Sequence, residues 1–263
     1  MTILDEIMAF KKKEVENNRE LFPVKLLEKS IYFESPTVSL KDYLKREDRL
    51  GIIAEFKRQS PSKGTINQSA SVEEVTIGYM KSGASALSVL TDKKYFGGDN
   101  KDLQSARKFN FCPILRKDFV LDEYQILEAK SNGADAILLI AAALSPEEVS
   151  RLAKFAKSLN LEVLLEIHTE EELDHYNDNV DVLGVNNRDL KVFKTSIQNS
   201  IDLFPKMPKE VVKISESGLH SSDDIITLKN VGFQGFLIGE NFMKSSNPGE
   251  ACNLFVKEIQ SKL

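Results

Sequence analysis

Eight short apolar runs alternate with segments of helical periodicity along this sequence, and this repeat restricts the possible folds strongly. The runs occupy residues 51–57, 86–91, 112–117, 136–141, 162–167, 181–186, 211–216 and 235–240. Runs that are apolar throughout are typical of parallel strands covered by helices. Eight strand–helix units predict a (β/α)8 barrel, an α/β fold that typically takes about 250 residues.

Three of the segments between the runs carry clear helix signals. Segment 145–160 begins with Ser145 as an N-cap and Pro146 in the first turn, and segments 71–83 and 220–232 have apolar residues at helical spacing. An open doubly wound sheet is the alternative fold. That fold usually carries a phosphate loop after its first strand, but no G-x-G-x-x-G follows any run.

The residues before the first run form a separate N-terminal extension. It contains three helix-like pieces, at residues 2–18, 23–30 and 39–45. We expect one domain over residues 1–263, with a helical extension at 1–48 and the barrel at 49–263. The extension is expected either to cover a barrel rim as a lid or to plug the barrel floor. The basic run Lys11–Lys13 is interpreted as a solvated helix face.

Charge and composition limit the partners of the chain. The formal net charge is −5, which disfavours a nonspecific nucleic-acid or anionic-membrane binder, because either needs a concentrated basic surface. No apolar run reaches about 18 residues, the length of a membrane span. The N-terminus lacks an apolar signal core, so a cytoplasmic protein is expected. Cys112 and Cys252 are interpreted as small buried hydrophobes, and the three histidines have no metal-ligand spacing.

Ionisable residues end several of the apolar runs. Glu55 and Lys57 are two residues apart, so both face the barrel lumen if either does. Other runs end near Lys117, Glu166, Asn186 and Glu216. The active site of such a barrel lies at the carboxyl ends of its strands, and charges buried there need partners. Lysines held among carboxylates indicate acid–base chemistry.

A phosphate site is expected in the loops after the last two runs. These loops are residues 215–218 and 238–243, and Gly218 and Gly239 allow the backbone to approach an anion closely. Segment 60–64 after the first run adds hydroxyls, a lysine and a glycine. Barrels of this kind often bind phosphate with the loops after strands seven and eight.

Seven motifs in chain order identify a resemblance to the indole-3-glycerol phosphate synthase family. They are IIAEFKRQSPSKG (52–64), LSVLTDKKYFGG (87–98), PILRKDFVLDEYQI (113–126), LLEIH (164–168), LGVNNRDL (183–190), ISESG (214–218) and GFLIGENFM (235–243). The resemblance implies that 1-(2-carboxyphenylamino)-1-deoxyribulose 5-phosphate is converted into indole-3-glycerol phosphate, CO₂ and water in tryptophan biosynthesis. It implies no cofactor and no metal, and a monomer is expected.

The resemblance also implies roles for the charged residues. Lys117 resembles the general acid that protonates the substrate carbonyl oxygen during ring closure. Lys57 would lie near the substrate carboxylate and is the candidate for a second proton donor. Glu166 would work with Lys117 or act as acid–base in later steps. Glu55 and Glu216 would orient the lysines and stabilise the developing iminium cation.

The remaining implied site residues bind the substrate. Asn186 and Arg188 would position its hydroxyl and carboxylate groups. The phosphate would be held by Ser60, Ser217, Gly218, Gly239 and the backbone amide of Glu240. The anthranilate ring would be walled by Pro61, Phe96, Phe119, Leu138, Ile140, Leu190 and Leu237. Because the side chain of Glu240 is acidic, it is expected to turn away from the phosphate.

Other readings of the residues stay open. The chain could instead be a different phosphosugar barrel enzyme, either an aldolase with a Schiff-base lysine or an isomerase with a Cys–Asp acid–base pair. Nothing in the sequence places Cys112 and an aspartate together as such a pair. A noncatalytic phosphosugar-binding subunit is a third possibility. His168 is interpreted as a rim or supporting residue, and His175 and His220 as surface residues.

Overall fold

A closed barrel of eight parallel strands lies at the centre of the protein, whose computed structural model describes residues 2–189 and 194–263. The strands are β1 (Ile52–Phe56), β2 (Ala86–Leu90), β3 (Ile114–Lys117), β4 (Ala136–Ile140), β5 (Glu162–Ile167), β6 (Val182–Asn186), β7 (Val212–Glu216) and β8 (Gly235–Ile238). Each strand pairs with the next in chain order, and β8 pairs with β1 to close the barrel. The predicted (β/α)8 barrel is confirmed.

Helices surround the barrel. They are α1 (Ile3–Leu21), α2 (Val24–Leu27), α3 (Leu40–Leu44), α4 (Val72–Lys81), α5 (Lys93–Phe96), α6 (Asn100–Phe109), α7 (Glu123–Ser131), α8 (Pro146–Ser158), α9 (Gln198–Leu203), α10 (Ser222–Val231), α11 (Glu240–Met243) and α12 (Pro248–Lys262). The 3-10 helices are Ala141–Ala143, Glu171–His175 and Phe204–Lys206, and a short hairpin joins Gln59–Ser60 to Gly64–Thr65. Within the described ranges, no helix is long and apolar enough to cross a membrane.

Helix α8 shows how the local sequence sets these boundaries. Ser145 caps it as predicted: the Ser145 hydroxyl accepts the backbone N–H of Glu148, and the Glu148 carboxylate accepts the backbone N–H of Ser145. Pro146 occupies the first turn, where a missing N–H costs nothing. Val149 and Leu152 then face the barrel and are fully buried, so the helix covers the outer surface of the sheet.

The barrel has separate inner and outer apolar cores. Ile53, Leu115 and Leu164 pack inside the barrel, whereas Ile52 and Ile114 belong to the core between the strands and the outer helices. Side chains alternate between the two faces of a strand. The residue two positions after each inner apolar residue therefore also points into the barrel, one step nearer the carboxyl end of the strand. In several strands this next inward residue is charged, as in Ile53–Glu55, Leu115–Lys117 and Leu164–Glu166.

Helix α1 of the extension covers the carboxyl ends of the strands. The residues of α1 that line the cavity there are Ile3, Leu4 and Ile7. The Lys11 ammonium, only 2% exposed, lies 2.8 Å from Asp92 Oδ2 and 3.0 Å from Asp118 Oδ1. The interpretation of Lys11 as part of a solvated face is therefore wrong, because a buried ammonium is stable only with such partners. Lys12 and Lys13 are exposed.

Helix α3 covers the opposite end of the barrel. Leu40 and Leu44 are buried in the apolar core inside the barrel. The hydroxyl of Ser39 donates to Glu162 Oε1 at 2.6 Å, at the first residue of β5. The extension thus supplies both of the elements that the sequence offered as alternatives, a lid at one end and a plug at the other.

Candidate active site

A cavity at the carboxyl ends of the strands brings together every predicted site residue except Leu190, which lies outside the described residues. The predicted residues that line it are Glu55, Lys57, Ser60, Pro61, Phe96, Lys117, Phe119, Leu138, Ile140, Glu166, Asn186, Arg188, Glu216, Ser217, Gly218, Leu237, Gly239 and Glu240. They come from strands around the whole barrel because parallel strands place their carboxyl ends at the same rim.

A lysine between two carboxylates forms the centre of the cavity. Lys117 at the end of β3 places Nζ 2.8 Å from Glu166 Oε2 on β5 and 3.1 Å from Glu216 Oε2 on β7. Burial disfavours the ammonium, but the two carboxylates outweigh burial and raise the pKa of Lys117. Lys117 is therefore a protonated cation at neutral pH, held by acceptors that a substrate can replace.

The two carboxylates differ in their environment. Burial favours the neutral form of both, but in Glu166 the charge of Lys117 outweighs burial and lowers the pKa. In Glu216, burial and the negative charge of Glu166 outweigh Lys117, so the pKa is raised. Glu216 Oε1 has no hydrogen-bond partner among the described residues. The site thus holds one carboxylate, Glu166, that is firmly ionised and free to accept a proton, and a second, Glu216, that is more easily protonated; acid–base chemistry uses both states.

Glycines on neighbouring strands make space for the carboxylates. A Cβ on Gly184 would lie 2.3 Å from Glu216 Oε1, and a Cβ on Gly239 would lie 2.5 Å from Glu55 Oε1. Any side chain at either position would displace the carboxylate. Glu55 Oε1 in turn lies 2.7 Å from Lys57 Nζ, so these two residues share the lumen face, as their spacing predicts.

Apolar residues from several strand ends and loops form an apolar wall around the cavity. The rings of Phe96 on α5 and Phe119 after β3 lie 5.9 Å apart between centroids, at a tilt of 41°. Asp92 caps α5 by accepting the backbone N–H of Phe96, which fixes the position of that ring. The wall is completed by Pro61, Leu138, Ile140 and Leu237. This surface suits a flat aromatic group.

The loops after β7 and β8 form a glycine-containing rim near Ser60. Ser217 and Gly218 both have positive φ, 65° and 71°. A Cβ on Gly218 would lie 2.8 Å from the Cβ of Thr195, so this loop needs glycine for both its backbone conformation and its packing. Binding of an anion by the loop amides and the Ser60 hydroxyl stays a prediction.

The side chain of Glu240 faces two cations. Its carboxylate lies 3.4 Å from Lys63 Nζ and 3.7 Å from Arg188 Nη2. The Arg188 guanidinium also donates to the Ser62 hydroxyl. Lys63 and Arg188 therefore neutralise the charge of Glu240 at the rim, and the use of its backbone amide for the phosphate stays a prediction.

Several cavity residues were not assigned from the sequence. Ile3, Leu4 and Ile7 have apolar helical spacing, but that pattern does not show which surface they cover. The His168 side chain lines the cavity but is only 9% exposed, and its Nε2 lies 3.6 Å from Glu166 Oε1. In the described part of the chain, no group of three or more His, Cys, Asp or Glu side chains could hold a metal ion.

Comparison with known proteins places this site in a family context. The sequence profile of "Indole-3-glycerol phosphate synthase" matches residues 4–255. A protein of that name from Bacteroides thetaiotaomicron is 49% identical over 258 residues, which cover 98% of this chain and 99% of that protein. A protein of the same name from Alkaliphilus metalliredigens is 38% identical over 262 residues and 99% of each chain.

Solved structures show the same architecture at low identity. A mutant tryptophan synthase alpha-subunit from Pyrococcus furiosus has a TM-score of 0.62 and 13% identity, over 81% of this chain and 99% of that chain. A thiamine phosphate pyrophosphorylase from the same organism has a TM-score of 0.61 and 13% identity, over 86% of this chain and 100% of that chain. At such identity, these likenesses concern the fold alone.

Proposed function

The chain belongs to the indole-3-glycerol phosphate synthase family, and we propose that Lys117, Lys57 and Glu166 carry out its reaction. The enzyme is a carbon–carbon lyase of tryptophan biosynthesis. It converts 1-(2-carboxyphenylamino)-1-deoxyribulose 5-phosphate into indole-3-glycerol phosphate, CO₂ and water. The chemistry comprises ring closure, decarboxylation and dehydration, and each step moves charge that the cavity residues can stabilise.

Ring closure is assigned to Lys117. As the aromatic carbon attacks the carbonyl carbon, negative charge develops on the carbonyl oxygen, and the Lys117 ammonium donates a proton to that oxygen. The support is its position between Glu166 and Glu216 at 2.8 and 3.1 Å, which keeps it protonated until the substrate binds. A cation fixed where negative charge develops stabilises the transition state.

The carboxylates stabilise the positive charge that ring closure leaves on the nitrogen. Glu166 and Glu216 lie together beside Lys117, and Glu55 lies across the cavity beside Lys57. Loss of CO₂ returns its electron pair to the ring and restores aromaticity, and Glu166 accepts the proton that later leaves the CH₂ beside the nitrogen in the dehydration. Lys57 binds the substrate carboxylate before CO₂ is lost and donates a proton to the departing hydroxyl in the dehydration.

The other residues hold the substrate in an attack-ready shape. Asn186 and Arg188 position hydroxyl and carboxylate groups, and the phosphate is bound by Ser60, Ser217, Gly218, Gly239 and the amide of Glu240. The ring lies against Pro61, Phe96, Phe119, Leu138, Ile140, Leu190 and Leu237. The apolar wall keeps water from the substrate carboxylate and so favours its loss as CO₂. Holding the two reacting carbons together supplies much of the rate.

The observation that carries these assignments is the ion-paired Lys117 at the base of a cavity with an apolar wall. We expect Lys117→Ala to lower kcat by at least about a hundredfold, the usual contribution of a general acid, while the product still binds. Steady-state kinetics and equilibrium binding of indole-3-glycerol phosphate measure the two effects. A wild-type kcat in Lys117→Ala would refute the assignment of Lys117 as the general acid.

Location and assembly are also proposals. We propose that the enzyme is a cytoplasmic monomer that binds its small phosphosugar substrate without nucleic acid or membrane. The support for the monomer is that a single chain closes the barrel and lines the cavity with every assigned residue that the structure describes. Sedimentation equilibrium tests the monomer, and cell fractionation tests the location.

A further inference from the structure

His168 lies between two carboxylates beside the residues assigned to the reaction. Its side chain is 9% exposed, with Nε2 3.6 Å from Glu166 Oε1 and Nδ1 3.5 Å from Glu172 Oε2. Neither ring nitrogen has a hydrogen-bond partner among the residues described. Buried polar atoms are nearly always paired, so a ring held this way calls for an explanation.

Glu172 connects this ring to the surface. It lies on the 3-10 helix Glu171–His175, and its carboxylate accepts the backbone N–H of His168 at 2.6 Å, which fixes it beside the ring. The Glu172 side chain is 17% exposed, whereas that of Glu166 is 6% exposed, and Lys117 holds the other Glu166 oxygen. The three side chains form a continuous row from the cavity to a carboxylate that reaches solvent.

We propose that His168 relays protons between Glu166 and Glu172 and so resets Glu166 after each turnover. The inference rests on the proposed acid–base role of Glu166. When Glu166 has taken a proton from the substrate, Oε1 passes it to Nε2 of the neutral ring. The ring releases its Nδ1 proton to Glu172, which gives it to water. Only O–H and N–H bonds change, and a rotation of the ring restores the starting tautomer.

The charges around the ring favour this transfer. Glu166 on β5, Glu172 on the 3-10 helix and Glu216 on β7 act on it, and Lys117 lies on the far side of Glu166. Burial disfavours the imidazolium, but these carboxylates outweigh burial and raise the pKa of His168, which stabilises the imidazolium formed when the ring takes the proton. Only a neutral ring can accept that proton, so the relay should become faster as pH rises through the pKa of the ring. The distances exceed hydrogen-bond length by a few tenths of an ångström, and catalytic hydrogen bonds often shorten when the substrate binds.

The test uses His168→Ala, Glu172→Gln and a control variant, His175→Ala. His175 lies on the same 3-10 helix, where its ring contacts the backbone carbonyls of Leu144 and Glu172. Steady-state kinetics are measured from pH 5 to 9 with and without added imidazole, and circular dichroism checks folding. We expect His168→Ala and Glu172→Gln to lower kcat about tenfold with little change in KM.

Rescue separates a relay from a packing role. Free imidazole should restore a large part of kcat in His168→Ala, and should not change kcat in Glu172→Gln or His175→Ala. A folded His168→Ala enzyme with wild-type kcat, or one whose lower kcat is not raised by imidazole and whose pH profile is unchanged, would overturn the relay. A wild-type enzyme without turnover would instead overturn the proposed function, so the two failures are distinguishable.

Discussion

Replacing Lys11 by methionine tests how α1 is held over the active site. Methionine keeps much of the side-chain volume but removes the ammonium that joins Asp92 and Asp118 to α1. Burial opposes the charge of Lys11, but Asp118 and Asp92 outweigh burial and raise its pKa. The ammonium is therefore charged at every pH where the enzyme would be assayed.

The expected loss follows from what the two aspartates retain. Asp118 keeps Arg116 at 3.3 Å and the hydroxyl of Thr91 at 2.5 Å. Asp92 Oδ2 has no hydrogen bond within the described ranges and loses its nearest cation. Removing one partner from a buried ion pair costs about 3–5 kcal/mol, and the remaining partners of Asp118 favour the lower end of that range. A loss of about 3 kcal/mol corresponds to roughly a hundredfold change in an equilibrium.

The assay compares Lys11→Met with Lys12→Met, a neighbouring exposed lysine on the same helix. We expect urea unfolding to show a free energy of unfolding about 3 kcal/mol lower for Lys11→Met than for the control. Protease cleavage within α1 should also be faster, because the undocked helix is more populated. Equal stability and equal cleavage rates in the two variants would refute the role assigned to the buried ion pairs.

Two further predictions concern packing and pH. Gly184→Ala should lower kcat at least about tenfold, because its Cβ would lie 2.3 Å from Glu216 Oε1 and displace that carboxylate; wild-type kinetics would contradict this. Burial raises the pKa of Asp118, but Lys11 and Arg116 outweigh burial and lower it to about 2 from an ordinary 3.8. The stability from its charge is complete above the ordinary value and is lost as pH falls towards about 2. Acid unfolding should therefore be steeper over that range in the wild type than in Asp118→Asn, and equal slopes would contradict this.

Local patterns were sufficient to predict the barrel and the placement of its charged residues. Apolar runs and helix caps depend on neighbouring residues, so the eight strands and the start of α8 at Pro146 follow from the sequence. The two-residue spacing of Glu55 and Lys57 likewise places both on one face. The motif resemblance added the role of each residue, which periodicity alone does not contain.

Features that depend on long-range contacts were not predictable in the same way. Lys11 reads as a surface lysine because its partners, Asp92 and Asp118, are distant in sequence and meet it only after the barrel closes. The Glu240 carboxylate likewise lies near Lys63 and Arg188, which come from two other loops. The sequence gives the charge of each group but not the tertiary neighbours that neutralise it.

Product formation by the purified protein tests the central claim most directly. The chain contains no tryptophan, so the indole emission of the product appears without indole background from the enzyme. On addition of 1-(2-carboxyphenylamino)-1-deoxyribulose 5-phosphate, we expect this emission to rise with the wild type and to stay near baseline with Lys117→Ala. A well-folded wild-type protein that produces no indole emission would contradict the account.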